Sequence, residues 1–149
     1  MLSREHFWQY ACDVYRSEQV QQVLLECQDL HGKNVNLCLF LDYLSTLSIQ
    51  LNTQQLQSLM RCVEHADKTI LQPYRATRQQ VKSQHHTYPD YPSLRKSLLA
   101  TELELEKLQQ YLLIETANHL CLKHDMQSAN NLTLYLPKPL ADRFAYAKT

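Results

Sequence analysis

The sequence predicts an all-α fold, a single-domain bundle of about five main helices. Apolar residues recur at helical spacing along most of the chain. The chain contains one glycine, whereas β-hairpins depend on glycine for their positive-φ turns. Its 149 residues, of which 44% are hydrophobic and 20% charged, are typical of one globular domain with one core. We therefore expect one helical domain over residues 1–149.

Capping residues and apolar stripes predict the first two helices. Ser3 is a suitable N-cap, and the stripe after it predicts a helix of about three turns; its members are Phe7, Trp8, Ala11, Val14 and Tyr15. Ser17 starts a second stripe, which reaches His31. Gly32 then stands where a helix C-terminus favours a left-handed residue, so the second helix should stop near residue 31.

Asn34 is a suitable N-cap for a third helix, from Val35 to Leu47. The first residues of this segment are so apolar that, taken alone, they are equally typical of a buried strand. A helix is favoured because no comparable run nearby is available for pairing, and a lone strand leaves its backbone groups without partners. We therefore predict a central helix.

A fourth helix begins at Thr53, and its apolar stripe passes through Pro73. Proline has no backbone N–H, so the helix should kink or divide there. Pro89 and Pro92 push the residues before them out of helical geometry, which predicts a loop over residues 85–92.

The long C-terminal helix should be capped by Ser93 and run from Leu94 to about His124. Its leucines recur in a seven-residue register, so we expect it to pack antiparallel against the kinked helix. Residues 126–149 are predicted to form an irregular tail with one short helical segment, Leu140 to Tyr146.

Three stretches of the sequence resemble a known family. They are Phe7-Trp8; Leu24 to Asn36, with His31-Gly32 and Val35-Asn36; and Pro73-Tyr74-Arg75 with Arg78 and Lys82. Together they resemble the short proteobacterial proteins catalogued as domain of unknown function 2390, over most of the chain up to the long helix. The resemblance implies a small helical proteobacterial protein. It implies no activity, because the family carries no assigned chemistry.

Charge and hydropathy limit the cellular compartments and the kinds of partner that we expect for this chain. Fifteen basic residues balance fifteen acidic ones, so the whole molecule has no net attraction for nucleic acid or for an anionic membrane. The first residues lack the pattern of a signal peptide, and no stretch has the uncharged apolar length of a membrane span. We expect a cytoplasmic protein whose five widely spaced cysteines are reduced thiols of the core.

Catalytic and metal-binding motifs are not evident. The chain has no Gly-x-Ser-x-Gly elbow, phosphate-binding loop or His-Glu-x-x-His pair. Cys62 with His65 and Cys121 with His124 have the residue types of four zinc ligands, but zinc modules usually hold their ligands in tight loops of a smaller domain. We therefore expect no cofactor and no metal site, and a binding protein rather than an enzyme.

Candidate binding residues fall into two groups. A basic stripe and an aromatic loop surround the predicted turn, and tyrosine is enriched at binding hot spots; this group is Arg75, Arg78, Lys82, Tyr88, Tyr91 and Arg95, with Lys96 beside it. Glu115 and His119 occupy heptad rows of the long helix that are otherwise leucine. We expect both Arg78 and this second cluster to be partly buried against polar partners; the alternative for Arg78 is a stem on the core with its guanidinium in water.

We interpret the chain as a non-catalytic binding or adapter protein that acts through a protein partner, with neither nucleic acid nor a membrane as its target. The alternative is a small-molecule or anion site, catalytic or not, between the kinked helix and the long helix. The residues leave the oligomeric state open.

Overall fold

The computed structural model describes residues 1–124 and 128–149, and over these ranges the fold is all-α, as predicted. The helices are α1 Arg4–Tyr15, α2 Glu18–His31, α3 Val35–Thr46, α4 Thr53–Ala66, α5 Gln72–His85, α6 Tyr91–Asn118, α7 Leu132–Tyr135 and α8 Lys138–Lys148, and a π-helical turn, Asp67–Leu71, joins α4 to α5. Within the same ranges, no helix combines the length and the apolarity needed to cross a bilayer.

The predicted caps of the first three helices are confirmed. Ser3 Oγ accepts from the His6 backbone N–H at 3.3 Å, and Ser17 Oγ accepts from that of Val20 at 3.3 Å. Asn34 Oδ1 accepts from the Leu37 N–H at 2.8 Å. Gly32 ends α2 with a φ of 62°, a left-handed conformation that glycine adopts without a Cβ penalty. Local chemistry therefore sets these helix boundaries.

The most apolar segment forms the central helix α3, so the strand alternative is excluded. Residues 37–44 are all buried, and α3 packs against α1, α2, α4, α6 and α7. Phe7 of α1 contributes an aromatic contact, with its ring 5.0 Å from that of Phe40 and 5.4 Å from that of Tyr43. A helix that is apolar on every side requires neighbours on every side, and α3 has them.

The kinked helix is divided by the π turn rather than broken by Pro73. Gln72 donates its backbone N–H to Asp67 O, five residues back, and Pro73 follows as the second residue of α5. The π turn already interrupts the regular hydrogen-bond pattern directly before Pro73, and an interruption of this kind accommodates a residue that has no backbone N–H. The chain thus continues as α4, π turn and α5, and this unit lies antiparallel to α6: Gln55 Nε2 bonds Cys121 O at 3.2 Å and Tyr74 Oη bonds Leu98 O at 2.7 Å.

Several predicted details of the C-terminal half are wrong. Helix α6 starts at Tyr91 with Asp90 as its N-cap, not at Ser93, because Pro92 fits the first turn. It ends at Asn118, short of His124. Of the expected tail, residues 126 and 127 lie outside the described ranges, whereas the rest carries α7 and an α8 that is longer than expected. Phe144 of α8 is fully buried in the core, so this segment is not an irregular appendage.

The cysteines are free thiols, but their expected placement in the core is only partly correct. Cys27 and Cys38 are buried, Cys12 and Cys62 are half-buried, and Cys121 is exposed. Cys121 is exposed because α6 has already ended three residues before it.

Candidate functional site

Residues 72–108 form a helical hairpin that stands apart from the core, and we call it the arm. It comprises α5, the loop and the first 18 residues of α6, and not one of its residues is buried. Helix α5 packs against α6 and continues from the π turn. Leu94, Leu99, Leu103 and Leu108 are 36–46% exposed. The arm therefore offers helical surface, including apolar surface, that the core does not use.

Four charged residues, which we call the clasp, hold the two helices of the arm together: Arg75, Arg78, Glu102 and Glu106. Arg75 Nε bonds Glu102 Oε1 at 3.0 Å, and its Nη2 bonds Glu106 Oε1 at 3.2 Å. Arg78 Nε lies 2.6 Å from Glu102 Oε2 without hydrogen-bond geometry, and its Nη2 is 3.5 Å from Oε1. Glu102 thus receives both guanidinium groups, with its side chain only 12% exposed.

The clasp also defines the electrostatics of the arm. Burial raises the pKa of Glu106, and the neighbouring Arg75 opposes that shift. Two arginines face two glutamates, so the positive charges are neutralised within the protein. An anionic ligand would find no free cation at this position, which argues against the alternative of an anion site between the two helices.

A network of four carboxamides and one carboxylate, which we call the polar network, lies where the arm joins the core. Its members are Asn34, Asn36, Asp67, Gln109 and Gln110. Gln109 Nε2 donates to Asp67 Oδ1 at 2.9 Å, and Asn34 Nδ2 donates to Asp67 Oδ2 at 2.8 Å. Asn36 Nδ2 donates to Gln109 Oε1 at 2.8 Å, and Gln110 Nε2 donates to Asn36 Oδ1 at 3.0 Å. These bonds connect α3, the π turn and α6.

The polar network is a buried structure rather than a surface cluster. Gln109 and Gln110 are 2% and 4% exposed. Tyr135 of α7 extends the network, because its hydroxyl accepts the Asn34 backbone N–H at 2.9 Å. Burial raises the pKa of Tyr135 to about 12, so the hydroxyl stays protonated at neutral pH. The base of the arm is therefore fixed by hydrogen bonds from three directions.

The far end of the arm, residues 79–98, is its tip. It carries three basic residues, Lys82, Arg95 and Lys96, against one acidic residue, Asp90. Among the described residues, none of these three cations makes an ion pair. Tyr88 is 49% exposed, and its hydroxyl lies 3.3 Å from Asp90 Oδ2. The loop is thus exposed as predicted, although Tyr91 is half-buried.

The structure separates the sequence-predicted site residues into three places. The tip contains four of these residues, Lys82, Tyr88, Tyr91 and Arg95. The clasp contains Arg75 and Arg78. The expectation that Arg78 is partly buried against polar partners is therefore confirmed.

The same expectation for Glu115 and His119 is wrong. Both are exposed, and the partner of His119 Nδ1 among the described residues is the Glu115 carbonyl of its own helix, at 2.7 Å. A straight α-helix drifts relative to a strict heptad, so at this end α6 turns Leu113, Ile114 and Ala117 to the core instead. Glu115 lies 20 residues beyond Arg95, about 30 Å along the helix.

Two surface depressions lie away from all of these residues. One, of about 670 Å³, lies between α2 and α8, and the other, of about 270 Å³, lies beside Asp42. Asp42 is nearly buried; it accepts from the Tyr10 hydroxyl and from Lys148 Nζ, the latter at 2.8 Å. Within the described ranges, no three potential metal ligands lie together.

Sequence reasoning missed the polar network, although part of its signal was present. Asn34 was assigned to capping, which is correct for its Oδ1, but its Nδ2 reaches Asp67 as well. Gln109 follows Leu105 by four residues and Gln110 follows Leu103 by seven, so each continues an apolar row of α6, where glutamine is unusual. Two glutamines in apolar rows were thus the sequence signal for a buried polar network.

Comparison with known proteins gives one match. The model of a family described as "Protein of unknown function (DUF2390)" matches residues 6–113. No curated protein and no solved structure matches the chain. The matched range includes the whole arm, the clasp and all five members of the polar network.

Proposed function

We propose, for a chain that belongs to the DUF2390 family of unknown function, a non-catalytic role in which the arm binds a partner protein through its tip. The observation that carries this proposal is the run of residues 72–108, in which no residue is buried. A helical hairpin of this length contributes little to its own core. Its exposed surface is available for a second molecule.

The tip has the chemistry of a contact with an acidic protein surface. Lys82 and Arg95 flank the loop in the sequence, and both are exposed, as is Tyr88. Cations of this kind steer a partner of opposite charge and select against basic surfaces. A tyrosine supplies a rigid anchor that loses little conformational entropy on binding.

The base of the arm supports this role because it makes the arm rigid. The clasp links α5 to α6, and the polar network links α6 and the π turn that precedes α5 to α3, through Gln109 and Asp67. A surface that is already held in its bound geometry loses less entropy on association. The carboxamides and ion pairs therefore position the tip without contacting the partner.

A protein partner is favoured over nucleic acid by the charge count. Binding to a phosphate backbone relies on many cations, whereas the tip carries three and the clasp neutralises the next two. The net charge of the chain is zero. Nucleic acid is accordingly one of the outcomes that the experiment must distinguish.

The experiment compares two triple variants in quantitative co-purification from cells that produce the protein naturally. The tip variant carries Lys82→Gln, Tyr88→Ser and Arg95→Gln. The control carries Arg16→Gln, Lys123→Gln and Tyr146→Ser, which are also exposed but lie away from the arm. We expect proteins that co-purify with the wild type and the control to be depleted with the tip variant. Loss of those proteins after nuclease treatment would instead assign the tip to nucleic acid, and equal recovery with both variants would overturn the proposal.

A further inference from the structure

Helix α6 carries a second stripe of positions in heptad spacing, beside the face that packs on α5; Glu106 lies at the border of the two and bonds Arg75. Its members alternate three and four residues apart: Lys96, Leu99, Leu103, Glu106, Gln110, Leu113 and Ala117. This is the spacing of the seam along which one helix packs against another. The stripe therefore predicts a helical neighbour along its whole length.

The structure supplies that neighbour for only half of the stripe. Gln110, Leu113 and Ala117 are 4%, 0% and 0% exposed, since α1 and α3 pack against this end of α6. Leu99 and Leu103 are 37% and 46% exposed. We call Lys96, Leu99, Leu103 and Glu106 the open stripe. Lys96, Leu99 and Leu103 are exposed, whereas Glu106 is half-buried and bonded to Arg75 of its own chain at 3.2 Å.

The open stripe is self-complementary when its direction is reversed. Read forwards it is basic, leucine, leucine, acidic; read backwards it is acidic, leucine, leucine, basic. An antiparallel copy centred beside residue 101 therefore places Lys96 opposite Glu106, and Leu99 opposite Leu103. Because the arrangement is two-fold symmetric, each pairing occurs twice.

We propose that the open stripe pairs with the open stripe of a second copy of this chain, antiparallel, so that the two arms form a four-helix bundle. A helix of another protein would fit equally well only if it had the same spacing of charges and leucines. A second copy of this chain has that spacing by definition. The charge complementarity is what commits the surface to a second copy.

The surroundings of the open stripe are compatible with this pairing. The arrangement brings Arg95 near Lys107 of the second copy, a pair of like charge. Lys107 is already held by its own chain, with its Nζ 4.7 Å from the Trp8 ring centre and 3.5 Å from Glu104 Oε1. Beyond Glu106 the body of each copy begins, because Tyr15 at the end of α1 lies close to that carboxylate. Residues 91–95 of one copy therefore lie beside the body of the other.

This inference does not depend on the proposed function: Lys82 and Tyr88 take no part in the pairing, and Arg95, the third residue of the tip variant, comes near Lys107 of the second copy without forming an attractive pair. Antiparallel pairing would place the two tips at opposite ends of the bundle. A dimer would then present two separate contact sites for partner proteins.

The first test is the mass in solution, measured by sedimentation velocity over a wide range of protein concentration. We expect the wild type to reach twice the chain mass. Leu103→Glu should abolish the dimer without loss of folding, because Leu103 is exposed in the single chain. Leu108→Glu is the matched control: Leu108 is 38% exposed but outside the open stripe, so its dimer should persist. A wild type that stays monomeric at every concentration would overturn the proposal, and so would a dimer that survives Leu103→Glu.

The second test exchanges the charges. Lys96→Glu and Glu106→Lys should each give monomers, because each variant places like charges opposite one another twice. An equal mixture of the two variants should restore the dimer, because every pair is again of opposite charge. Failure of the mixture to associate, with both variants folded by circular dichroism, would contradict the antiparallel pairing.

A cross-linking variant covers the case in which Glu106→Lys unfolds the chain by removing the partner of Arg75. Chains with Leu99→Cys and chains with Leu103→Cys are mixed and oxidised, with the wild type as the control for the native cysteines. We expect cross-linked heterodimers in clear excess over the wild-type background, and no excess would contradict the proposed register.

Discussion

Gln109 of α6 donates to Asp67 of the π turn over 2.9 Å, and this bond joins the long helix to the point where the kinked helix is divided. The same amide donates to the Val63 carbonyl at 3.2 Å, while its oxygen accepts from Asn36 at 2.8 Å. One buried side chain thus holds together three elements at the base of the arm.

Replacing Gln109 by leucine should therefore destabilise the protein markedly. The substitution leaves the half-buried Asp67 and Asn36 with hydrogen-bonding groups that have lost a partner, and a group of this kind costs about 1–3 kcal/mol when it is fully buried. We expect a loss of at least about 2 kcal/mol in urea unfolding. Gln79→Leu, on the exposed surface of α5, should change stability by less than about 0.5 kcal/mol. Equal effects of the two substitutions would show that the polar network does not contribute to the stability of the protein.

The clasp should behave as a coupled unit. Glu102 receives both arginines, so Glu102→Gln should cost more than Arg75→Met or Arg78→Met alone, since each single arginine variant leaves Glu102 with one cation. We expect about 1–3 kcal/mol for Glu102→Gln.

A double-mutant cycle between Arg78→Met and Glu102→Gln measures the coupling directly. Residues that share a partner give interaction energies of about 0.5–3 kcal/mol. Strict additivity of the two substitutions would indicate that the arm is not held by these ion pairs.

Asp42 should make stability depend on pH. Burial raises its pKa above the ordinary value, and Lys148 only partly opposes that shift. An acid whose pKa is raised on folding contributes stability at low pH, and that contribution is lost as the pH rises through its folded pKa. The difference in unfolding free energy between the wild type and Asp42→Asn should therefore fall as the pH rises from about 4 towards 7.

Urea unfolding at a series of pH values checks this prediction. Removing the lysine in Lys148→Met should steepen the fall, because it removes the group that opposes the shift. A difference that rises with pH would contradict the assigned environment of Asp42.

Replacing Gly32 should lower the stability of the protein because of its backbone conformation alone. Its φ is 62°, and a Cβ at this position would meet nothing within 4 Å. Gly32→Ala should therefore cost about 1–2 kcal/mol through the left-handed backbone and not through a clash. Ser48 has a φ of 60° with a side chain present, so Ser48→Gly should change stability in the opposite direction. The melting temperatures of the Gly32→Ala and Ser48→Gly variants, compared with that of the wild type, check these two predictions.

The parts of the fold that follow from local chemistry were predictable from the sequence. Ser3, Ser17, Gly32 and Asn34 act on their own helix ends, so their roles could be assigned without knowledge of neighbours. The antiparallel packing of α6 on the kinked helix followed from its leucine spacing, and Pro73 marked the place of the π turn to within two residues.

The parts that depend on distant contacts were not predictable. The partners of Gln109 lie 42 to 75 residues away, so the burial of this glutamine has no local signal beyond its position in a core-facing row. The exposure of Glu115 and His119 depends on the rotation of α6 against α1 and α3. The role of α8 depends on its docking to α2, which covers Phe144.

Binding of a partner protein by the tip of the arm is tested by quantitative co-purification of the tip and control triple variants. We expect a defined set of proteins to be recovered with the wild type and the control, to resist nuclease treatment, and to be depleted with the variant that lacks Lys82, Tyr88 and Arg95. Recovery of the same proteins in equal amounts with both variants, when both have wild-type melting temperatures, would contradict it.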